Sequence, residues 1–256
     1  MLPERVSGLS VKEFYTSYLQ KSIPVIITDV VTGWHSYREW SIDSFAKKYG
    51  HKAAGVMRIK NGLSDADTYN ERNSALVPVQ RIIESVSKGL HGADIVLASP
   101  IDALKPEIDY DVAVPEYCRH GKFFRSRIYV GPGGLVTSLH QDLPENFYAL
   151  IRGRKHITLF KPADRKYLYP NPVWSRHPNF ARYNPDKPDN IAFQRARFAQ
   201  PVEVYLQEGE MLYIPSLWWH HIRNLEPSIA VNFWWSVGWK VVPAWGLAKL
   251  KQILNG

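Results

Sequence analysis

Beyond about Ile95 the chain is written in short apolar runs broken by Gly, Pro, Asn and charged residues, and that spacing confines its second half to strands. The expected strands are Val25 to Thr28, Lys52 to Ile59, Ile95 to Ala98, Phe124 to Val130, Leu135 to His140, Val202 to Leu206, Met211 to Ile214, His221 to Asn224 and Ile229 to Trp234. Helices come first. Ser10-Val-Lys-Glu13 reads as a capping box opening a helix through about Leu19, Ser41 caps a second that ends before Gly50, and Val79 to Lys88 forms a third before Gly89. Helices followed by strands suit an α+β, mainly β domain with a sandwich or jelly-roll core. No linker, repeat or compositional break divides residues 1–256, so one domain is expected: a mostly helical part (1–92), a β core (93–239) and a C-terminal helix (240–256). In that last segment Leu247, Leu250 and Ile253 are spaced for one helical face, either docking on the domain or mediating a homodimer.

Two segments of the strand-rich half carry metal-ligand residue types. Thr137-Ser-Leu-His140-Gln-Asp142-Leu-Pro-Glu-Asn146 follows Gly131-Pro-Gly-Gly134 and a short apolar run, which places His140 at the end of a strand. On extended backbone His140 and Asp142 point to the same side. A further His from Tyr213-Ile-Pro-Ser-Leu-Trp-Trp-His220-His221 completes a set of two His and one carboxylate. Such a set binds Fe(II) through three protein atoms and leaves open positions, which implies chemistry rather than scaffolding. With nine His in the chain an isolated His-x-Asp arises easily by chance, so the second strand-end His supplies the specificity. Neighbours on a strand face opposite sides, and periodicity leaves His220 and His221 both open as the third ligand.

Between Asn146 and Phe160 the pattern predicts a hairpin turning at Arg152-Gly153. In that register Leu150 pairs with Lys155, Tyr148 with Ile157 and Asn146 with Leu159, all on one face. Lys155 then lies among apolar residues and needs an anion or a route to water, and the hairpin holds no acidic residue to supply one. A small dicarboxylate ligand satisfies it. A snorkelling stem or a register slipped by one residue also remains open.

The order His140-x-Asp142, Asn146, Lys155, Leu-Tyr-Ile-Pro-x-x-Trp-Trp-His220 and Val231-Asn232-Phe233-Trp234 resembles the JmjC or cupin-like 2-oxoglutarate-dependent oxygenases. It is most similar to their small-hydroxylase branch, which includes the asparaginyl hydroxylase that inhibits hypoxia-inducible factor and the wybutosine-tRNA hydroxylase. Pro24-Val-Ile-Ile-Thr-Asp29, Trp34, Trp40-Ser41, Phe45 and Tyr49-Gly50 extend the likeness to the N-terminal region. The resemblance implies a double-stranded β-helix. It also implies that His140, Asp142 and His220 hold Fe(II), and that 2-oxoglutarate chelates the metal and reaches Lys155 with its distal carboxylate. O2 is then consumed as succinate and CO2 are released and a substrate C–H bond is hydroxylated. Thr137, Asn146 and Asn232 match the family's polar contacts to the cosubstrate, and Trp234 an aromatic packed beside it. Asn232 and Trp234 share a face by alternation, but Thr137, three residues before His140, needs a bulge or a strong twist to reach the same side. The branch usually carries a tyrosine on an earlier strand. The matching strand here, Ile95-Val-Leu-Ala98, has none, and Tyr148 is the expected substitute.

Charge bears on the substrate. The net charge of +8 and pI near 9.4 favour anionic partners, with Arg119, Lys122, Arg125 and Arg127 clustered before the His-x-Asp strand. A second group, Arg176-His177, Arg182, Arg195 and Arg197, lies in a Pro- and Asn-rich insertion, a kind of segment that often lines a site mouth. The expected substrate is a peptide or protein side chain or an amino-acid-like small molecule. The alternatives are a tRNA base, favoured by charge without a recognition module, and a non-catalytic cupin-like protein that only holds metal. A lone Cys118 excludes an internal disulfide and fits a cytoplasmic protein, Met1-Leu-Pro-Glu-Arg lacks a secretory leader, and no stretch approaches membrane-spanning length.

Overall fold

The structure, a computed structural model, describes residues 2–59, 62–64, 76–119 and 122–236. Strands among these residues form two sheets. The larger runs in the order β1 (Glu4–Val6), β2 (Val25–Ile27), β12 (Met211–Ile214), β9 (Glu145–Arg152), β14 (Ser228–Ser236), β7 (Lys122–Gly131), β6 (Ile95–Pro100), β3 (Ala53–Arg58) and β5 (Leu76–Pro78). The smaller runs β11 (Val202–Leu206), β10 (Lys155–Phe160), β13 (Trp219–Asn224), β8 (Val136–Gln141) and β4 (Leu63–Ser64). From β7 to β14 each step along the chain changes sheet, apart from β10 to β11, which pair directly. This winding is the jelly roll of a cupin fold.

The winding overturns the expected hairpin. β9 pairs with β12 and β14 in the large sheet, while β10 pairs with β11 and β13 in the small one. Arg152-Gly153-Arg154 is therefore a corner between sheets. Gly153 has φ +86°, and a Cβ there would lie 2.5 Å from the Pro227 carbonyl oxygen, so the corner requires glycine. The facing inferred from alternation survives, because a strand's parity does not depend on its partner. Tyr148 and Leu150 from one sheet meet Ile157 and Leu159 from the other in an apolar cluster completed by Leu206, Leu212 and Ala230.

The outer face of the large sheet is covered by the N-terminal segments. Ser10 Oγ accepts the Glu13 N–H at 3.2 Å, and the helix Val11–Glu13 continues as a wider π turn, Phe14–Leu19. Phe14 packs on Phe147 and Tyr213 at ring separations of 5.2 and 4.9 Å, and Phe147 stacks on Trp235 at 4.5 Å. Ser41 and Ser44 cap the helix Ile42–Tyr49 reciprocally, and Val79–Ser87 ends before Gly89 at φ +74°. Among the described residues of 1–92 the expected strands Val25 to Thr28 and Lys52 to Ile59 appear as β2 and β3, β1 and β5 are further strands of the large sheet, and β3 pairs with β6. Their short apolar runs become strands because the sheet supplies partners for their backbone groups. The expected C-terminal helix lies outside the described residues. Among the described residues no helix is long and apolar enough to cross a membrane.

Candidate metal and cosubstrate site

β8 and β13 lie side by side with His140 directly opposite His220, and their ring centroids are 4.1 Å apart. Asp142 follows two residues after His140, and its Oδ2 lies 3.7 Å from His220 Nε2. One ligand atom from each of His140, Asp142 and His220 falls within 4.8 Å of the others. His140 Nδ1 lies 2.8 Å from the Ser138 carbonyl oxygen and His220 Nδ1 lies 3.1 Å from that of Trp218. Donation of both Nδ1–H groups leaves both Nε2 lone pairs free for a metal. Burial, with His140 beside it, pushes His220 down to about 4 and keeps it in the neutral form that ligates metal. Asp142 Oδ2 accepts hydrogen bonds from Trp234 Nε1 at 2.9 Å and Asn146 Nδ2 at 3.4 Å, which orient the carboxylate. The donor set therefore fits a divalent metal of the Fe(II) type.

His221 faces the other way, with Nε2 2.7 Å from Asp186 Oδ2, a carboxylate that also accepts from Arg223. The bulge that Thr137 needed is present. Along β13 the step from His220 to Ile222 spans two residues, whereas the matching step along β8 from His140 to Thr137 spans three. One extra residue in β8 turns Thr137 to the side of His140, and both line the same cavity.

On the large sheet Asn146 pairs with Trp234 and Tyr148 with Asn232, so β9 and β14 bring four further candidates to that cavity as adjacent pairs. Asn146 Oδ1 and Asn232 Oδ1 are buried without hydrogen-bond partners. The Asn232 amide, turned end for end, offers an NH2 group to a carboxylate, while Asn146 keeps its Nδ2 on Asp142. Lys155 is 3% exposed, its Nζ meets Asn224 Oδ1 at 2.5 Å, and the Tyr148 ring lies 5.6 Å away. No carboxylate pairs with it among the described residues, and burial pushes it down to about 7. A cation sealed against a neutral amide is the setting that a ligand's carboxylate improves most.

Three residues were not singled out by sequence reasoning. Asn224 shares the inner face of β13 with His220 and Ile222, so alternation from His220 was enough to find it. Tyr129 lines the cavity from β7, giving two tyrosines, with Tyr148, where an earlier-strand tyrosine is absent. Burial pushes the Tyr148 phenol upward, which keeps it a donor. Phe180, from the long insertion after β10, stacks on His140 at 5.2 Å with rings 19° apart, and nothing local in the sequence announces that contact.

The cupin-like domain family matches residues 11–238 of the chain. Among curated proteins it is 32% identical to the lysine-specific demethylase 8 of Xenopus tropicalis over 89% of this chain and 51% of that protein. It is 32% identical to the lysine-specific demethylase 8 of Danio rerio over 91% and 58% respectively. The human bifunctional peptidase and (3S)-lysyl hydroxylase JMJD7 is 24% identical over 88% of this chain and 80% of its own length. The chain thus spans about half the length of the two demethylase relatives.

Proposed function

This chain belongs to the cupin-like JmjC family of oxygenases, and we propose that it is an Fe(II)- and 2-oxoglutarate-dependent dioxygenase that hydroxylates a C–H bond of a peptide or protein side chain. One observation carries the reading. Three metal-ligand atoms converge on the wall of a cavity that also holds a buried lysine lacking a carboxylate partner among the described residues. Bound Fe(II) with 2-oxoglutarate and O2 supplies the oxidising power, one oxygen atom going to substrate and one to succinate. The chain's own residues bind, orient and exclude water. His140, Asp142 and His220 are assigned to the metal, and Lys155 to the distal carboxylate with Tyr148 beside it. Asn146, Thr137 and Asn232 are assigned to the cosubstrate's polar atoms, and Trp234 to the wall next to them.

Both kinds of relative bear names that point to protein side chains. Hydroxylation of an N-methyl carbon yields a hemiaminal that sheds formaldehyde, so demethylation and stable hydroxylation share one C–H oxidation. The test is anaerobic titration with Fe(II) and 2-oxoglutarate, followed by the weak visible charge-transfer band of the chelated metal. Appearance of the band and oxygen-dependent succinate release are expected. Absence of both would leave a non-catalytic metal-binding protein. The basic insertion motivates one alternative, a tRNA base as substrate, which tight, salt-sensitive tRNA binding would promote.

Lys155→Met is expected to weaken 2-oxoglutarate binding roughly 10- to 100-fold, the effect of deleting a charge-assisted contact. Because free Lys155 sits near 7, most molecules at pH 8 hold it neutral, and a carboxylate favours its charged form. Binding at pH 8 should therefore take up a proton. Calorimetry in two buffers of different ionisation heat should show that uptake in the wild type and none in the variant. Unchanged affinity in Lys155→Met would remove the lysine from the cosubstrate site.

A further inference from the structure

β7 carries a feature that neither the metal nor 2-oxoglutarate uses. Ile128 and Val130 are buried in the core beneath the N-terminal helices, so alternation turns Arg125, Arg127 and Tyr129 to the inner side of the large sheet. Register agrees. Arg127 pairs with Asn232 and Arg125 with Trp234, both of which line the cavity. Arg127 Nε and Nη1 are buried without a hydrogen-bond partner, and its neighbour on β6 is Pro100, which has no side-chain acceptor. The Arg125 guanidinium lies 4.9 Å from the centre of the Trp234 ring, whose N–H holds Asp142. Among the described residues that line the cavity, Asp142 is the one acid, and its oxygens are committed to the metal and its partners. Lys155, from the opposite sheet, is already assigned to the distal carboxylate of the cosubstrate.

Two buried guanidinium N–H groups left without acceptors beside a binding cavity call for an oxyanion. We infer that Arg127, with Arg125 at its side, receives a carboxylate of the prime substrate, so that the peptide taken by this site carries Asp or Glu at or next to the oxidised residue. The inference rests on the oxygenase reading above and narrows its substrate class. It also sets this chain apart from relatives whose names specify lysine, because a lysine side chain entering beside Arg127 meets like charge with no neutralising acid among the described lining residues.

The test uses the full chain loaded with Mn(II) and N-oxalylglycine, an inert cosubstrate analogue. Five blocked pentapeptides, identical except for a central Asp, Glu, Asn, Gln or Lys, are titrated by calorimetry against wild type, Arg127→Met and Arg127→Lys. An acidic peptide is expected to bind about 10-fold or more tighter than its amide counterpart and the Lys peptide. Arg127→Met should erase that preference and Arg127→Lys restore part of it, while N-oxalylglycine affinity stays at the wild-type value in both. Equal affinity for all five peptides, no peptide binding, a preference for Lys, or a preference that survives in Arg127→Met would overturn the inference. So would loss of N-oxalylglycine binding in Arg127→Met, which would hand the residue to the cosubstrate. Failure of the wild type to bind N-oxalylglycine would instead strike the oxygenase reading, and the peptide series on the metal-free protein would then judge Arg127 separately.

Discussion

Asp142→Ala is expected to abolish metal-dependent turnover while leaving the fold intact. The substitution removes one of the three proposed ligands, and since loss of a mere hydrogen-bond partner to a ligand weakens metal sites by about 10- to 100-fold, loss of the carboxylate itself should exceed about 100-fold. Its effect on stability is small for a definite reason. Asp142 is partly exposed at the cavity wall, and the donors it satisfies, Trp234 Nε1 and Asn146 Nδ2, face the same cavity, where water takes its place. Equilibrium binding of Mn(II), succinate release under air and a thermal melt separate the two effects. Fe(II)-dependent succinate formation at the wild-type rate in Asp142→Ala would remove this residue from the metal site.

The largest effect on stability is expected far from the cavity, at Asp111. Its carboxylate is buried, yet it accepts from His35 Nδ1 at 2.7 Å, Lys48 Nζ at 2.8 Å, Trp40 Nε1 at 3.3 Å and the Tyr49 hydroxyl. One acid thus ties the helices His35–Glu39 and Ile42–Tyr49 to the helix Ile108–Asp111. Asp111→Ala leaves four donors around a hole. Breaking a buried ion pair on one side costs about 3–5 kcal/mol, or a drop in Tm of roughly 6–20 °C for a chain of this size. Burial alone would raise the Asp111 pKa, but hydrogen bonds from Lys48, Tyr49 and His35 outweigh it and hold the carboxyl below its usual range. A carboxyl depressed in the folded state contributes stability above the unfolded pKa, about 3.9, and loses it as pH falls through the folded value. The difference in stability between wild type and Asp111→Ala should therefore be flat around neutrality and shrink below about pH 4. Urea denaturation across that range reads it directly, and a Tm within a degree of wild type at pH 7 would refute the role.

Much of the cavity was legible in the residues because strand alternation is local. His140 with Asp142, Asn232 with Trp234, and Tyr148 with Leu150 each share a face whatever strand lies alongside. The same rule put Lys155 inside even though its predicted partner was wrong. Thr137 was legible as a conflict, a residue on the wrong parity that a bulge or a strong twist could reconcile, and β8 contains a bulge. Asn224 was within reach of the same counting. Phe180 was not, since it reaches His140 from the insertion through a contact that no local pattern encodes.

By itself the sequence determined the faces: which side chains turn inward, which residue types can ligate a metal, and where helices are capped. These follow from backbone geometry a few residues long and from the chemistry of His, Asp and Lys. Only the tertiary structure decided the pairings. It made Arg152-Gly153 a corner instead of a hairpin turn, gave Lys155 the amide of Asn224, and set Arg127 beside Asn232 with its Nε and Nη1 unmet. The physical reason is that strand pairing is a competition among all strands for buried partners. Its outcome depends on how two whole sheets close around a shared interior, and a turn of a few residues contributes little to that balance.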